Sequence, residues 1–150
     1  MENEAVVKHD WVKQGKQNRI KGRTFEAKVR QNLEEVLNWI VSKWMNTVDY
    51  NKSENMGKLV PAKRKYNPFF KSMVIGTGFP DFICFKKKLN GTYEVIGLEV
   101  KVNGYLDQKE KGMCLWLLEN KIFSRILIAK KGKKRGEIEY IDFKKKYGIK

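Results

Sequence analysis

A predicted β-hairpin constrains the fold of this chain more than any other feature of its sequence. Asn90 and Gly91, a pair that readily adopts positive φ, separate two stretches of alternating apolar and polar residues, 81–85 and 93–102. The chain must therefore contain two antiparallel strands joined by a tight turn. Asp81 and Glu99 are almost equidistant from that turn, so the pairing predicts that they lie opposite each other.

Charged residues gather at the end of this hairpin that is far from the turn. Residues two apart on a strand share a face, so Glu99 and Lys101 emerge together while Val100 points into the core. A Glu-x-Lys pair alone is a common surface feature, but here Asp81 directly follows Pro80 and faces the pair across the hairpin. The sequence therefore predicts two carboxylates and a lysine grouped at one end of a sheet.

Such a group is suited to a divalent cation held beside a phosphate. Mg²⁺ prefers oxygen ligands and keeps several waters, so Asp81 and Glu99 are enough protein ligands, and the carbonyl of Val100 is a further candidate. The cation would neutralise phosphate charge and lower the pKa of a bound water. Lys101 would position or help to deprotonate that water, or would stabilise the developing negative charge.

The remaining elements are predicted from hydrophobic periodicity. Apolar residues at spacings of three and four predict one long helix over residues 23–46, with Thr24 as its N-cap and Glu26 in its first turn. Residues 1–21 are a polar lead-in or short docking element, and residues 47–68 lose periodicity. Strands are predicted at 69–75, 81–85, 93–102, 126–129 and 137–143, and a helix at 107–119. The order α-β-β-β-α-β-β indicates an α/β domain with a central mixed sheet flanked by helices.

Composition favours a polyanionic partner. The 150 residues include 32 Lys and Arg against 17 Asp and Glu, a formal net charge of +15. Nucleic acid is the first partner that such an excess suggests, and an anionic membrane surface is the second. No apolar run approaches the ~20 residues of a membrane span. The polar, acidic start shows no signal peptide, so we expect a cytoplasmic, nucleoid-associated protein, or one in the host-cell cytoplasm if the chain is viral.

Cysteine and histidine usage argues against a zinc site. Cys84 and Cys114 lie in apolar stretches without metal-type spacing, and we expect both to be reduced core residues. His9 is the one histidine in the sequence, which makes a histidine-based active site unfavourable.

Two basic segments are candidate phosphate contacts. Arg19, Lys21 and Arg23 precede Glu26, and the run from Lys63 to Lys65, which includes Arg64, lies beside Tyr66 between two prolines. Basic side chains interleaved with an aromatic suit a phosphate-binding surface, although a solvated loop or helix face without a partner remains the alternative for both. Few polar side chains are placed to read bases, so we expect recognition of shape more than of sequence.

Pro80-Asp81 followed by Glu99-Val100-Lys101 resembles the PD-(D/E)xK nuclease superfamily. The resemblance covers residues 22–143 and is greatest to archaeal Holliday junction resolvases and virus-type replication-repair nucleases. It implies a restriction-endonuclease-like core, within a nuclease domain over residues 22–150 that carries a basic insertion at 47–68. It also implies that Glu26 is an auxiliary metal ligand and that Gln108 is a polar site residue in the helix after the Glu-x-Lys strand. Glu110 takes that role if the alignment shifts by two.

The resemblance implies a Mg²⁺-dependent endodeoxyribonuclease, with Mn²⁺ as a substitute metal. We expect selectivity for DNA structure, as in a Holliday junction resolvase, and a symmetric homodimer that makes two coordinated cuts. The alternatives are a nuclease of another substrate class, namely a nicking, flap, restriction-like or RNA nuclease, and a non-catalytic nucleic-acid-binding protein.

Overall fold

A computed structural model describes residues 2–51, 56–62, 64–69, 71–75 and 78–150. These ranges contain three α-helices, one π-helical turn and nine strands. They are α1 (Glu2–Gln31), the π-helical turn (Asn32–Val36), β1 (Ile40–Lys43), β2 (Asn46–Asn51), β3 (Met56–Pro61), β4 (Arg64–Asn67), β5 (Ser72–Ile75), β6 (Phe82–Lys87), β7 (Tyr93–Val100), α2 (Gln108–Glu119), β8 (Arg125–Lys131), β9 (Ile138–Asp142) and α3 (Phe143–Lys146).

A mixed five-stranded sheet forms the centre of the fold, which confirms the predicted α/β class. Its strand order is β1-β6-β7-β8-β9, and only the β7–β8 pair is parallel. Phe25 and Val29 of α1 pack in a core cluster with Leu98, whereas Cys114 and Leu117 of α2 belong to a second cluster. Neighbouring strand residues face opposite ways, so the two helices cover opposite faces of the sheet.

The predicted hairpin and second helix are confirmed. β6 and β7 pair antiparallel with Phe82 opposite Leu98, and Gly91 has φ of +88° in the turn between them. The helix predicted at 107–119 is α2, which Asp107 caps by accepting a hydrogen bond from the Glu110 N–H. Cys84 and Cys114 are buried free thiols, as expected. None of the helices in the described part of the chain is long and apolar enough to cross a membrane.

The prediction of one helix over residues 23–46 is wrong at both ends. α1 begins at Glu2, so Thr24 is an interior residue whose hydroxyl donates to the Ile20 carbonyl at 2.8 Å, not an N-cap. The predicted boundary between residues 21 and 22 therefore falls inside a helix. At the other end Asn38 has φ of +59°, and the Trp39 N–H donates back to the Leu33 carbonyl at 2.9 Å. Asparagine tolerates this left-handed conformation, which ends the helix.

Residues 47–68 also differ from the prediction, because they contain strands. β2 pairs with β3, and β4 pairs with β5, in two small antiparallel sheets. The strand predicted at 69–75 is therefore not part of the central sheet, whose first strand is β1 instead. Lys63, one of the predicted phosphate contacts, lies outside the described residues.

Candidate metal centre

Asp81 and Glu99 meet at the end of the β6–β7 pair. The Asp81 N–H donates to Glu99 Oε2 at 3.0 Å, and the Val100 N–H donates to Asp81 Oδ2 at 2.8 Å. Each carboxylate is thus held by a backbone N–H of the opposite strand. The Trp44 N–H donates to the Asp81 carbonyl at 3.0 Å, which fixes the backbone at Asp81 from the side of β1.

Burial and mutual repulsion oppose ionisation of this pair. Glu99 is 6% exposed, the one buried charged residue in the described part of the chain. Burial, followed by the negative charge of Asp81, raises the pKa of Glu99 to about 9. Burial also raises the pKa of Asp81, despite the hydrogen bond from Val100. Two desolvated carboxylates in contact favour a shared proton or a bound cation, because either one removes the repulsion.

Lys101 lies between Glu99 and a further carboxylate. Its Nζ is 3.7 Å from Glu99 Oε1 and 2.6 Å from Glu110 Oε2. Burial lowers the pKa of Lys101, but the hydrogen bond to Glu110 and the surrounding negative charges outweigh it, so its pKa lies above the ordinary value. Lys101 is therefore a fixed cation at neutral pH.

The backbone of Val100 offers an additional oxygen. The N–H and C=O of one strand residue point toward the same neighbouring strand, and the Val100 N–H points toward Asp81. The β6–β7 pairing ends with Phe82 opposite Leu98, so Val100 lies beyond it, beside the segment that carries Pro80 and Asp81. Proline has no N–H, so Pro80 cannot donate to the Val100 carbonyl. This carbonyl is consequently a suitable third donor beside the two carboxylates.

Glu26 approaches this centre from α1 without joining it. Its negative charge contributes to the raised pKa of Asp81, but Glu26 Oε1 lies 3.6 Å from Lys43 Nζ. These two side chains line an open cleft together with Arg23, Arg30 and Phe82. Within the described ranges, no group of three or more His, Cys, Asp or Glu side chains is placed to hold one metal ion.

The donor set nevertheless fits Mg²⁺. Proteins commonly bind this ion through one or two carboxylates and leave several of its waters in place. Asp81, Glu99 and the Val100 carbonyl supply hard oxygen donors. The raised pKa values of both carboxyl groups indicate that a cation there would replace an unfavourable interaction with a favourable one.

The other predicted site residues are distributed over several surfaces. Gln108 is exposed at the first residue of α2, whereas Glu110, its alternative, contacts Lys101. Arg19 and Arg23 are four residues apart and share one face of α1, while Lys21 points to the opposite side and lines a different cleft. Arg64 and Lys65 lie in β4, and their side chains are outside the described part of the structure.

Sequence reasoning gave Glu110 only as an alternative and missed Lys43 entirely. Asp107 and Glu110 form a capping box, in which the Glu110 side chain accepts from the Asp107 N–H at 3.1 Å. The spacing Asp-x-x-Glu before an apolar helix is a readable signal of this motif and would have located Glu110. Lys43 was assigned to a helix, and no local pattern places it next to Glu26.

Comparison with protein-family models, with curated proteins and with solved structures finds no match to this chain.

Proposed function

We propose that this chain is a Mg²⁺-dependent endodeoxyribonuclease with a restriction-endonuclease-like core. The observation that carries the proposal is the buried contact of Asp81 with Glu99, beside Lys101, at one end of the central sheet. The order of the central sheet along the chain supports it, because three of its strands precede α2 and two follow, which is the order expected from the resemblance. The net charge of +15 supports a polyanionic substrate.

The residues of the chain divide the chemical work between them. Asp81, Glu99 and the Val100 carbonyl would hold Mg²⁺, which supplies charge neutralisation at the phosphate and an acidified water. Lys101 is protonated at neutral pH, so it stabilises the negative charge that develops on the phosphate and does not act as a base. Glu110 holds the Lys101 ammonium group in place. Glu26 and Lys43 line the open cleft beside the centre, where they would contact the bound substrate.

Cleavage of supercoiled plasmid in Mg²⁺ tests this proposal. Asp81→Asn and Glu99→Gln each remove a carboxylate that would bind the metal, with little change in shape. Substitution of a residue that only supports the metal ligands typically costs roughly 10- to 100-fold. We expect Asp81→Asn and Glu99→Gln to reduce the cleavage rate by more than this. Glu94→Gln is a matched control on the same strand, since Glu94 pairs with Arg125 at 2.7 Å, far from Asp81. Absence of Mg²⁺-dependent cleavage by the wild type would refute the nuclease function, and cleavage by Asp81→Asn at the wild-type rate would refute its assignment to this centre.

Substrate class requires a separate comparison. We propose a preference for branched DNA and a symmetric homodimer, because resolving a four-way junction needs two coordinated cuts. Rates on a four-way junction, a flap, a nicked duplex, a linear duplex and RNA distinguish the classes. Equal rates on linear duplex and junction would exclude a resolvase, and preferential cleavage of RNA would exclude a deoxyribonuclease. Sedimentation of the protein measures the dimer.

A non-catalytic nucleic-acid-binding protein is the second candidate function. It is favoured by the finding that only two carboxylates meet at the centre within the described residues, with Lys101 already paired to Glu110. Calorimetric titration with Mg²⁺ separates the two functions. Binding of Mg²⁺ by the wild type but not by Asp81→Asn supports the nuclease. Absence of Mg²⁺ binding together with retained DNA affinity supports the alternative.

A further inference from the structure

A cleft between α1 and the turn that joins β8 to β9 has a strongly basic lining. Its volume is about 510 Å³, and α1 and the turn contribute cations to it from opposite sides. The lining contains five cations and one carboxylate, Glu137. The five cations are Lys28, Lys131, Lys133, Lys134 and Arg135. The cleft therefore has a net charge of +4 at neutral pH.

Within the described residues, none of these five cations belongs to an ion pair. Lys130 on the same hairpin does pair, with Glu139 at 3.5 Å. Like charges held close together repel one another, and a bound anion relieves that repulsion.

The turn that carries the cations has a defined shape. The Gly132 N–H donates to the Glu137 carbonyl at 2.8 Å, and the Glu137 N–H donates to the Lys134 carbonyl at 3.1 Å. The Glu137 carboxylate accepts from the Lys134 N–H at 3.0 Å, so the acid of the cleft is used to close the turn. Gly136 has φ of +81° at the tip. A turn fixed in this way loses little conformational entropy when a ligand binds.

The cleft and the carboxylate centre lie at the same end of the sheet. β7 and β8 are parallel, with Val100 opposite Ala129, and the Lys131 N–H donates to the Val102 carbonyl at 3.2 Å. From the β6–β7 pair to the β8–β9 pair is two strand spacings, about 10 Å. Along the axis of a duplex, where each strand rises 3.4 Å per nucleotide, that distance corresponds to about three nucleotides.

The aromatic residue of the cleft indicates which form of nucleic acid fits. Phe25 is 3% exposed, and Lys131 Nζ lies 5.8 Å above its ring, so the ring cannot stack on an unpaired base. Proteins that hold single strands use exposed aromatic platforms for such stacking. A cleft that offers cations without a platform is suited to the phosphates of a duplex.

From these observations we infer that the cleft between α1 and the β8–β9 turn binds the phosphate backbone of duplex DNA. The bound phosphates would lie about three nucleotides from the phosphodiester bond that is cleaved at Asp81 and Glu99. The inference rests on the proposed nuclease function, for which it names the path of the substrate. It adds a binding surface on the side of α1 that carries Lys28, opposite the side that carries Glu26.

The test compares two Lys-Lys pairs. Lys133→Ala/Lys134→Ala removes two exposed cations from the turn. Lys87→Ala/Lys88→Ala removes the same charge at the opposite end of the sheet, where both lysines are exposed. Affinity for a labelled duplex of about 20 base pairs, or two helical turns, is measured by anisotropy at several salt concentrations. EDTA is present so that the DNA stays intact, and circular dichroism verifies folding.

The expected result follows from counterion release. Each lost phosphate contact reduces the slope of log affinity against log salt by about 0.9, so the turn variant should lose about 1 to 2 units of slope. Relative to 1 M salt, each contact contributes roughly 8-fold at 0.1 M, so the affinity there should fall by about 10- to 60-fold. The control variant should keep the wild-type slope.

Equal losses in the two variants would show that only overall charge matters and would overturn the inference. Wild-type binding by the turn variant would overturn it as well. Neither result affects the nuclease function, which depends on plasmid cleavage and on Asp81→Asn. Conversely, absence of cleavage by the wild type would refute the nuclease, while the comparison of slopes would still decide whether the cleft binds DNA.

Discussion

Replacing Glu99 by glutamine should stabilise this protein and should abolish the proposed cleavage of DNA. Glutamine has the shape of a protonated glutamate, and its amide oxygen can accept from the Asp81 N–H as Glu99 Oε2 does. The buried Glu99 carboxyl has a raised pKa, so folding favours its protonated form. As the pH rises above the ordinary glutamate value, the unfolded chain releases a proton that the folded chain retains. Stability contributed by that proton is present at low pH and is lost toward the folded pKa of about 9.

The size of the effect follows from the pKa difference. The free energy of unfolding of the wild type should fall by about 1.4 kcal/mol per pH unit above the unfolded value of 4.5. At pH 7 the accumulated loss is about 3 kcal/mol. Glu99→Gln has no proton to lose and avoids this penalty. For a chain of this size the variant should melt about 6 to 12 °C above the wild type at pH 7, and the two should melt together near pH 4.5.

Thermal unfolding in EDTA between pH 4.5 and 8 measures the difference, with circular dichroism as the readout. Glu94→Gln serves as the control, because Glu94 pairs with Arg125 near the surface. The melting temperature of this variant should follow that of the wild type at every pH. Melting temperatures of Glu99→Gln and wild type that stay parallel from pH 5 to 8 would show that Glu99 ionises freely in the folded state. The argument for a repulsive carboxylate pair would then be wrong.

Substitutions at three further positions test other parts of the structure. Asn38→Ala should lower the free energy of unfolding by about 1 kcal/mol, because Asn38 has φ of +59°. Asn38→Gly should not lower it, and denaturant unfolding measures both variants. Gly97→Ala should cost about 1 to 3 kcal/mol, because the new Cβ would lie 2.9 Å from Pro80 and 3.0 Å from Phe123; cleavage should fall too, since Pro80 precedes Asp81, and an unchanged rate would show that the site tolerates the shift. Glu110→Gln keeps a side-chain acceptor for the helix cap but removes the charge beside Lys101. The pKa of Lys101 should therefore fall, and the alkaline limit of the pH profile of cleavage should move to lower pH. An unmoved limit would show that protonated Lys101 takes no part in catalysis.

Local patterns predicted the centre of the molecule correctly. The Asn90-Gly91 turn fixes the register of two strands, and that register alone brings Asp81 to Glu99. The same holds for α2, whose start is set by Asp107 and its capping box. In each case the decisive information lies within about ten residues of the turn or cap.

Other features depend on long-range packing and were not predictable in this way. Ile40, Val41 and Trp44 continue the helical spacing of α1 by coincidence, but Asn38 ends the helix and Val41 packs as a strand residue in the sheet core. Strand β1 exists because β6 supplies partners 39 to 45 residues away. The contact of Lys43 with Glu26, and the meeting of α1 with the β8–β9 turn, likewise follow from assembly of the sheet.

The reciprocal hydrogen bonds between Asp81, Glu99 and the backbone of the facing strands mean that the same side chains stabilise the fold and form the candidate metal centre. Asp81→Ala would leave the Val100 N–H without its acceptor, at a cost of about 1 to 3 kcal/mol, which is a sizeable fraction of the stability of a single domain. A descendant of this chain that dispensed with cleavage would therefore still be under selection to retain a hydrogen-bond acceptor at position 81. Asparagine removes the carboxylate but keeps a side-chain oxygen that accepts from the Val100 N–H. Among inactive descendants, asparagine should therefore be the residue that recurs at position 81.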